Sequence, residues 1–455
     1  MNNKMRVYDL INRSLTGEII EERKYDLGLA ANVQKMVKKY DIKLSSETFI
    51  NDDTELLDRV WNAAIEFLAT TGIYSKDTNR VVRYTEAELR SALELLPGEV
   101  MHGSGNDEVN HVSRELGDNR RMVNGGGAVG VPCPNEYFAS ITASYLQEPL
   151  VDCFCTPSNN YTIAGDEIRT KSPFEIVAAW EEVTQFQYVA KCLGRPGLAQ
   201  SGINISVSDV GQLAAGHLLR KTDNHCYGII SELKADNTIF NKIMQCMLLE
   251  GNTLAYANPT WGGLGGGLNG QIVLLTAEMI ACSVIFFGSV VSSTPTHPIL
   301  FCSTTKEILQ MLSVSMQSIA KHSNIITLPS PVTVGGPVTK TILYEIIANT
   351  LTMHNSAVTR LEGPRGATGA VVGACTGLEA RFQGEVIGAA TKISKEKAEE
   401  LIGKAYAKYE NDLDKKPYGK PFWEAYDVTT LTPTEEWNAM YQEVKEEAIS
   451  WGLPL

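Results

Sequence analysis

The chain lacks the short motifs of the most familiar chemistries. Across its 455 residues there is no GxSxG and no HExxH, so serine-hydrolase and zinc-protease readings have no support. No GxxxxGK[ST] occurs either, and GLGGGLNG (263–270) is not a convincing dinucleotide fingerprint. Nine cysteines are present, an odd number with no CxxC pair, which reads as a reduced, cytoplasmic protein with mostly buried thiols. Cys153 and Cys155 alternate in a predicted strand and so share one face, as core packing or as a metal pair. Histidine is scarce: His217, His297, His322 and His354 stand alone, and His225 and Cys226 point to opposite faces of a strand. A zinc site built from Cys226 and a distant partner stays open. The first residues (MNNKMRVYDL) contain no apolar signal core. The most apolar long stretch, 271–292, is interrupted by Gln271, Thr276, Glu278 and Gly288, and reads as a buried helix followed by a strand rather than a membrane span. A net charge of −13 argues against a nucleic-acid surface.

What is present is the pattern of a soluble α/β protein. Residues 1–115 read as helical and polar-faced, with helix starts at Asp52/Glu55 and Thr85/Glu88, each a capping box or a relative of one. From about 120 onward, β-rich runs alternate with amphipathic helices. The runs lie at 121–125, 151–155, 199–205, 225–231, 253–257, 285–292, 324–329 and 355–361. Helical patterns include 236–250, 269–284, 304–322 and 337–353. Eight β-then-α units predict a closed (β/α)8 TIM barrel with added N- and C-terminal helices, and an open doubly wound sheet is the alternative. Strands buried on both faces explain runs that are apolar throughout. The expected division is an N-terminal helical extension over 1–118, the barrel over 119–392 and C-terminal helices over 393–455, packed as one structural unit. The last helix is expected to start at Thr432-Pro433-Thr434-Glu435, with Thr432 as N-cap and Pro433 at the first helical position, and to run to about Trp451.

In such a barrel, function sits at the C-terminal ends of the strands. Three glycine-rich segments follow predicted strands: 124–132 (NGGGAVGVP), 261–267 (WGGLGGG) and 362–373 (EGPRGATGAVVG). They fit a phosphate cradle or, at least as well, the lining of a wide mouth against a bulky cofactor.

Several longer segments narrow the reading. GIYSKDTNRVVRYTEAEL (72–89), KSPFEIVAA (171–179), GRPG (194–197), TGLEARFQGEV (376–386) and YDVTTLTPTEEW (426–437) resemble, in order, segments of the monomethylamine:corrinoid methyltransferases of methanogens. The resemblance covers nearly the whole chain. It implies a (β/α)8 barrel, a homo-oligomer (a hexamer in the best-known members), a small-molecule methyl donor and a small corrinoid protein docking at the barrel mouth. The acceptor would be the Co(I) of that partner's cobalamin, with no cofactor held tightly by the chain itself. The setting implied is C1 metabolism of the methanogenic or acetogenic type.

The resemblance also implies where chemistry has changed. Ser201 stands where the family carries pyrrolysine, the residue thought to capture the amine. The family's two pocket carboxylates fall at Cys226 and Tyr256, and its pocket glutamine at Ser330. Ser201, Cys226, Tyr256 and Ser330 are therefore the candidate catalytic positions. Tyr256, Trp261 and Asn258 are candidate donor-binding residues, the two aromatics because their faces attract quaternary ammonium groups. Glu250, Asp209 and Glu232 are the charges left nearby in sequence. The four positions supply no base to deprotonate a primary ammonium and no acid to protonate a poor leaving group. A methyl donor that leaves unaided, with a quaternary amine favoured over monomethylamine, is the expected substrate. The alternatives are zinc-assisted transfer from a methyl alcohol or thiol through Cys226, and a silent homologue that only binds a corrinoid protein.

Overall fold

A computed structural model describes the chain apart from residues 1–2, 45–46, 159–161, 164 and 205–207. Its centre is a ring of short parallel segments. They are β1 (Val123–Gly127), β2 (Cys153–Cys155), β3 (Ala199–Gln200), β4 (Asn224–Gly228), β5 (Asn252–Ala257), β6 (Val290–Ser293), a single bridge at Thr327, and β7 (Arg360–Glu362). Neighbours pair in parallel: β1 with β2, β2 with β3, Ser201 with Asn224, β4 with β5, β5 with β6, and Val291 with Thr327. The ring closes because Arg360 N–H donates to Thr327 O at 3.1 Å and β7 pairs with β1. The barrel is thus closed, and the open-sheet alternative falls.

A helix follows each of the eight positions: Asn135–Leu146, Pro173–Cys192, Asp209–Ala215, Asn237–Leu249, Leu268–Val284, Lys306–His322, Lys340–Asn355 and Gly377–Ala390. Leu268–Val284 is buried along nearly its whole length, because the N-terminal helix Thr54–Thr71 covers the side that a barrel helix ordinarily gives to solvent. This explains why 271–284 is apolar around most of its circumference. Among the described residues, no helix is long and apolar enough to cross a membrane.

Several local expectations need correction. The run 285–292 is strand only from Val290, since the chain turns at Phe287 (φ 59°) and Gly288. The run 324–329 contributes one bridge, at Thr327. Of 199–205, residues 199–200 are strand, Ser201 adds a bridge, and 205 lies outside the described residues. The N-cap of helix Thr54–Thr71 is Asp53, which accepts from the N–H groups of Glu55 and Leu56, while Asp52 pairs with Lys395. Thr85 and Glu88 do form a capping box. The last helix is Glu435–Ser450, capped by Thr434, because Thr432–Pro433 is used instead to pair with Tyr426–Asp427.

The first 115 residues are not all helix. The hairpin of Glu99–His102 and Val109–Val112 plugs the N-terminal end of the barrel. There Val109 packs on Val123, Cys153 and Ala199, and Val100 packs on Leu254, Val290, Ile326 and Leu328. The buried rings of His102 and His111 lie 4.1 Å apart, and His102 Nε2 meets Asn224 Oδ1 at 2.7 Å. With its bottom sealed, the barrel opens only at the C-terminal ends of its strands.

Candidate active site

A cavity of about 280 Å³ occupies that open end. Ser201, Cys226, Tyr256, Asn258 and Ser330 all line it, from consecutive β3, β4, β5 and the segment after Thr327. Five of the six positions singled out from sequence therefore meet in one place. The sixth, Trp261, does not line the cavity. Its N–H donates to Thr296 O at 3.0 Å and its ring packs on the large core cluster under the N-terminal helices. Glu250, Asp209 and Glu232 are also elsewhere. Glu250 pairs with Lys221 at the opposite end of the barrel, Asp209 accepts from Asn241, and Glu232 accepts from Leu264 N–H.

Two glycines shape the wall. The register sets Gly228 beside Tyr256, and a side chain at Gly228 would run into the tyrosine ring. Gly202, at φ +91°, leaves space for Cys226 in the same way. Cys155 and Asn204 complete this side. Asn204 Nδ2 donates to Thr156 Oγ1 at 2.8 Å, and buried Glu182 accepts from Asn204 N–H at 2.7 Å and Thr156 Oγ1 at 2.5 Å. Burial pushes the Cys226 thiol up to about 12 and the Tyr256 hydroxyl above its ordinary value, so both are neutral hydrogen-bonding groups near pH 7.

The floor holds what the sequence reading overlooked. Arg360 and Glu362 project inward from β7 as a fully buried ion pair, and Arg360 Nη2 also donates to the Ser201 hydroxyl. Gly125, on the neighbouring β1, has no side chain because that space belongs to these two groups. Burial raises Glu362 above the ordinary carboxylate range, and the Arg360 charge opposes the rise. The cavity thus holds a carboxylate that the four candidate positions do not supply: Glu362 lines it. Lys242 and Arg365 line it too, both with pKa lowered by burial. The available signal was the alternation Arg360-Leu361-Glu362. Two opposite charges at i and i+2 in an otherwise apolar strand face the same side.

The glycine-rich segments also read differently in three dimensions. Gly125 and Gly126 lie within β1 and give way to Glu362, Val151 and Ala380, and Gly369 gives way to the Arg365 side chain. These glycines make room for close side-chain packing. No group of three or more His, Cys, Asp or Glu that could hold a metal ion is present among the described residues. Cys153 packs in the barrel floor and Cys155 lines the cavity one layer above it.

A sequence profile described as monomethylamine methyltransferase MtmB matches residues 5–453. The chain belongs to the monomethylamine methyltransferase family. It is 29% identical to monomethylamine methyltransferase MtmB2 of Methanosarcina acetivorans over 449 residues, and 30% identical to MtmB3 of Methanosarcina barkeri over 452, each covering 98% of both chains. The crystal structure of the Methanosarcina barkeri monomethylamine methyltransferase superposes with a TM-score of 0.95 at 28% identity, over 99% of this chain and 98% of that one. A second structure, of a hydroxylamine MtmB complex, matches equally well. The monomethylamine methyltransferase fold is therefore kept from end to end in this family member.

Proposed function

We propose that the chain moves a methyl group from a small methylated compound to the Co(I) corrinoid of a partner protein, with a quaternary amine favoured over monomethylamine. Membership of a methyltransferase family supports the reaction class. The observation that carries the donor preference is the make-up of the cavity. Its described walls offer hydroxyl, thiol, amide and aromatic groups, a carboxylate and two cations, and none of these is an electrophile able to capture an amine. At about 280 Å³ the cavity is below the range usual for drug-sized ligands, so it suits a small donor. A corrin macrocycle would be met at the mouth, on its own protein.

The chemistry follows from the leaving group. Transfer to Co(I) breaks a carbon–nitrogen bond, and the electron pair of that bond stays on nitrogen. A quaternary ammonium then departs as a neutral tertiary amine with no proton needed. Monomethylamine, unlike a quaternary ammonium, can lose its proton, and its neutral form would have to expel amide ion, a far poorer leaving group. Tyr256 presents an aromatic face, and Glu362 a carboxylate, to a positively charged donor. Held in one orientation, the donor gains from proximity what the site lacks in covalent capture. Ser201 fits a positioning role, since its hydroxyl is already engaged by Arg360.

The test is methylation of free cob(I)alamin by the purified protein with a panel of methylated amines, followed by the visible spectrum. Turnover with quaternary amines and none with monomethylamine is the expected result. Monomethylamine turnover at the best rate in the panel would sink the donor assignment. No turnover with any donor, with or without a corrinoid protein, would favour the silent homologue.

A further inference from the structure

The cavity contains a cation for which no ion-pair partner is present among the described residues. Arg195, Arg360 and Arg381 each pair with a carboxylate, respectively Asp107, Glu362 and Glu148. Lys242 has Glu175, Asp209 and Asp236 among its electrostatic neighbours. Arg365 is different. Its electrostatic neighbours are the Cys155 thiol and the Tyr256 hydroxyl, both neutral near pH 7, and among the described residues its one side-chain hydrogen bond is from Nη2 to Gly369 O at 3.2 Å. Its Nε is buried with no partner. A largely buried guanidinium without a counter-charge is costly to the fold, and arginine cannot escape by losing its proton. Such a group belongs to a site whose ligand brings the negative charge. Its planar donor fork matches a carboxylate.

We infer that the methyl donor carries a carboxylate as well as its methylated nitrogen, and that Arg365 binds that carboxylate. This rests on the proposed methyl transfer and names its substrate class. Arg365 and Tyr256 both line the cavity and interact electrostatically. The two charges of the donor must therefore be close together, as in a short-chain N,N,N-trimethyl amino acid. With each water occupying about 30 Å³, a cavity of about 280 Å³ admits a molecule of roughly nine non-hydrogen atoms or fewer. A short zwitterion of this kind fits. Its carboxylate neutralises Arg365, and its trimethylammonium group lies toward Tyr256 and Glu362. In the reaction one N–CH3 bond breaks and its electron pair stays on nitrogen, leaving a neutral dimethylamino group. The new Co–C bond takes its electron pair from the Co(I) co-substrate, which becomes formally Co(III). No proton, oxidant or further reactant is required.

Trimethylammonioacetate, choline and tetramethylammonium are the probes, measured by calorimetric binding to the intact protein and, separately, by cob(I)alamin methylation. The first should bind at least 10-fold more tightly than the other two. Arg365→Gln should weaken it by about 10- to 100-fold, the loss of a charge-assisted contact, while choline, which has no carboxylate and is repelled by the guanidinium, should bind no more weakly. Arg365→Lys should recover part of the loss. Should Arg365→Gln fail to fold, the wild-type comparison of the three probes decides alone. Equal binding of all three, or no binding of trimethylammonioacetate, overturns the inference. Binding of trimethylammonioacetate without methyl transfer would leave the carboxylate site standing and overturn the methyl-transfer reading instead.

Discussion

The pair beneath the cavity predicts an asymmetric response to mutation. Glu362→Gln keeps the shape of the side chain and removes its charge, leaving Arg360 fully buried without a carboxylate. Two of its nitrogens, Nε and Nη1, already lack hydrogen-bond partners. Breaking a buried pair in this way costs about 3–5 kcal/mol. Arg360→Met is the milder change. Glu362 is already held above the ordinary carboxylate range by burial and can take up a proton, becoming a neutral acid that donates to its surroundings. Its cost should be about 1–2 kcal/mol, nearer that of an imperfect core substitution. The double variant Arg360→Met/Glu362→Leu should recover most of the Glu362→Gln loss, since apolar replacement of a buried pair is often neutral. For a chain of this length, 4 kcal/mol corresponds to a fall in Tm of roughly 4–8 °C. Thermal unfolding of the ligand-free protein by circular dichroism measures all three. If Arg360→Met destabilises more than Glu362→Gln, or Glu362→Gln is neutral, the charge at the cavity floor is not organised as described.

The remaining expectations concern the wall and the pH response. Gly228→Ala should displace the Tyr256 ring and raise the KM for the donor about as much as Tyr256→Ala does, while Ser201→Ala should change kcat little; steady-state kinetics of cob(I)alamin methylation would show the pattern. If Ser201→Ala abolishes turnover and Tyr256→Ala does nothing, the serine acts directly. Stability should also depend on pH in two opposed ways. Burial raises Glu232 and Glu345 to about 7 and Glu379 to about 8, so their contribution is present in full below the unfolded carboxylate value and is lost as pH rises through 7 to 8. Burial lowers His102 to about 3 and His225 and His354 to about 4, so theirs is lost as pH falls below the unfolded histidine value of about 6.5. The carboxylate loss begins at the unfolded value of about 4.3, so Tm should peak between the two unfolded values, at about pH 5–5.5, and a Tm that climbs steadily from pH 6 to 9 would contradict the carboxylate assignments.

The sequence by itself determined the barrel and the angular order of its parts. Apolar runs separated by amphipathic helices specify parallel strands covered on both faces, and local chain order then sets which wall each residue joins. That is why Ser201, Cys226, Tyr256, Asn258 and Ser330 meet in one cavity. Helix starts were legible where the cap is a local contact, as at Thr85, and slipped where a neighbouring segment took the residue, as at Thr432–Pro433. The hairpin that plugs the barrel was not legible, because its short strands pair only with each other and gain their stability by packing on the barrel floor. The charge of the cavity was decided only by tertiary structure. Glu362 and Arg365 sit in a glycine-rich segment that reads as a loop, and Lys242 lies on a barrel helix. Only ring closure brings the last strand against the first, turns Arg360 and Glu362 inward over the side-chain-free Gly125, and sets on the cavity with Tyr256 a guanidinium that has no ion-pair partner among the described residues. Periodicity reports which side of an element is buried. It does not report which distant charge will share that burial, and that pairing settles whether a group is neutralised within the chain or left for a ligand.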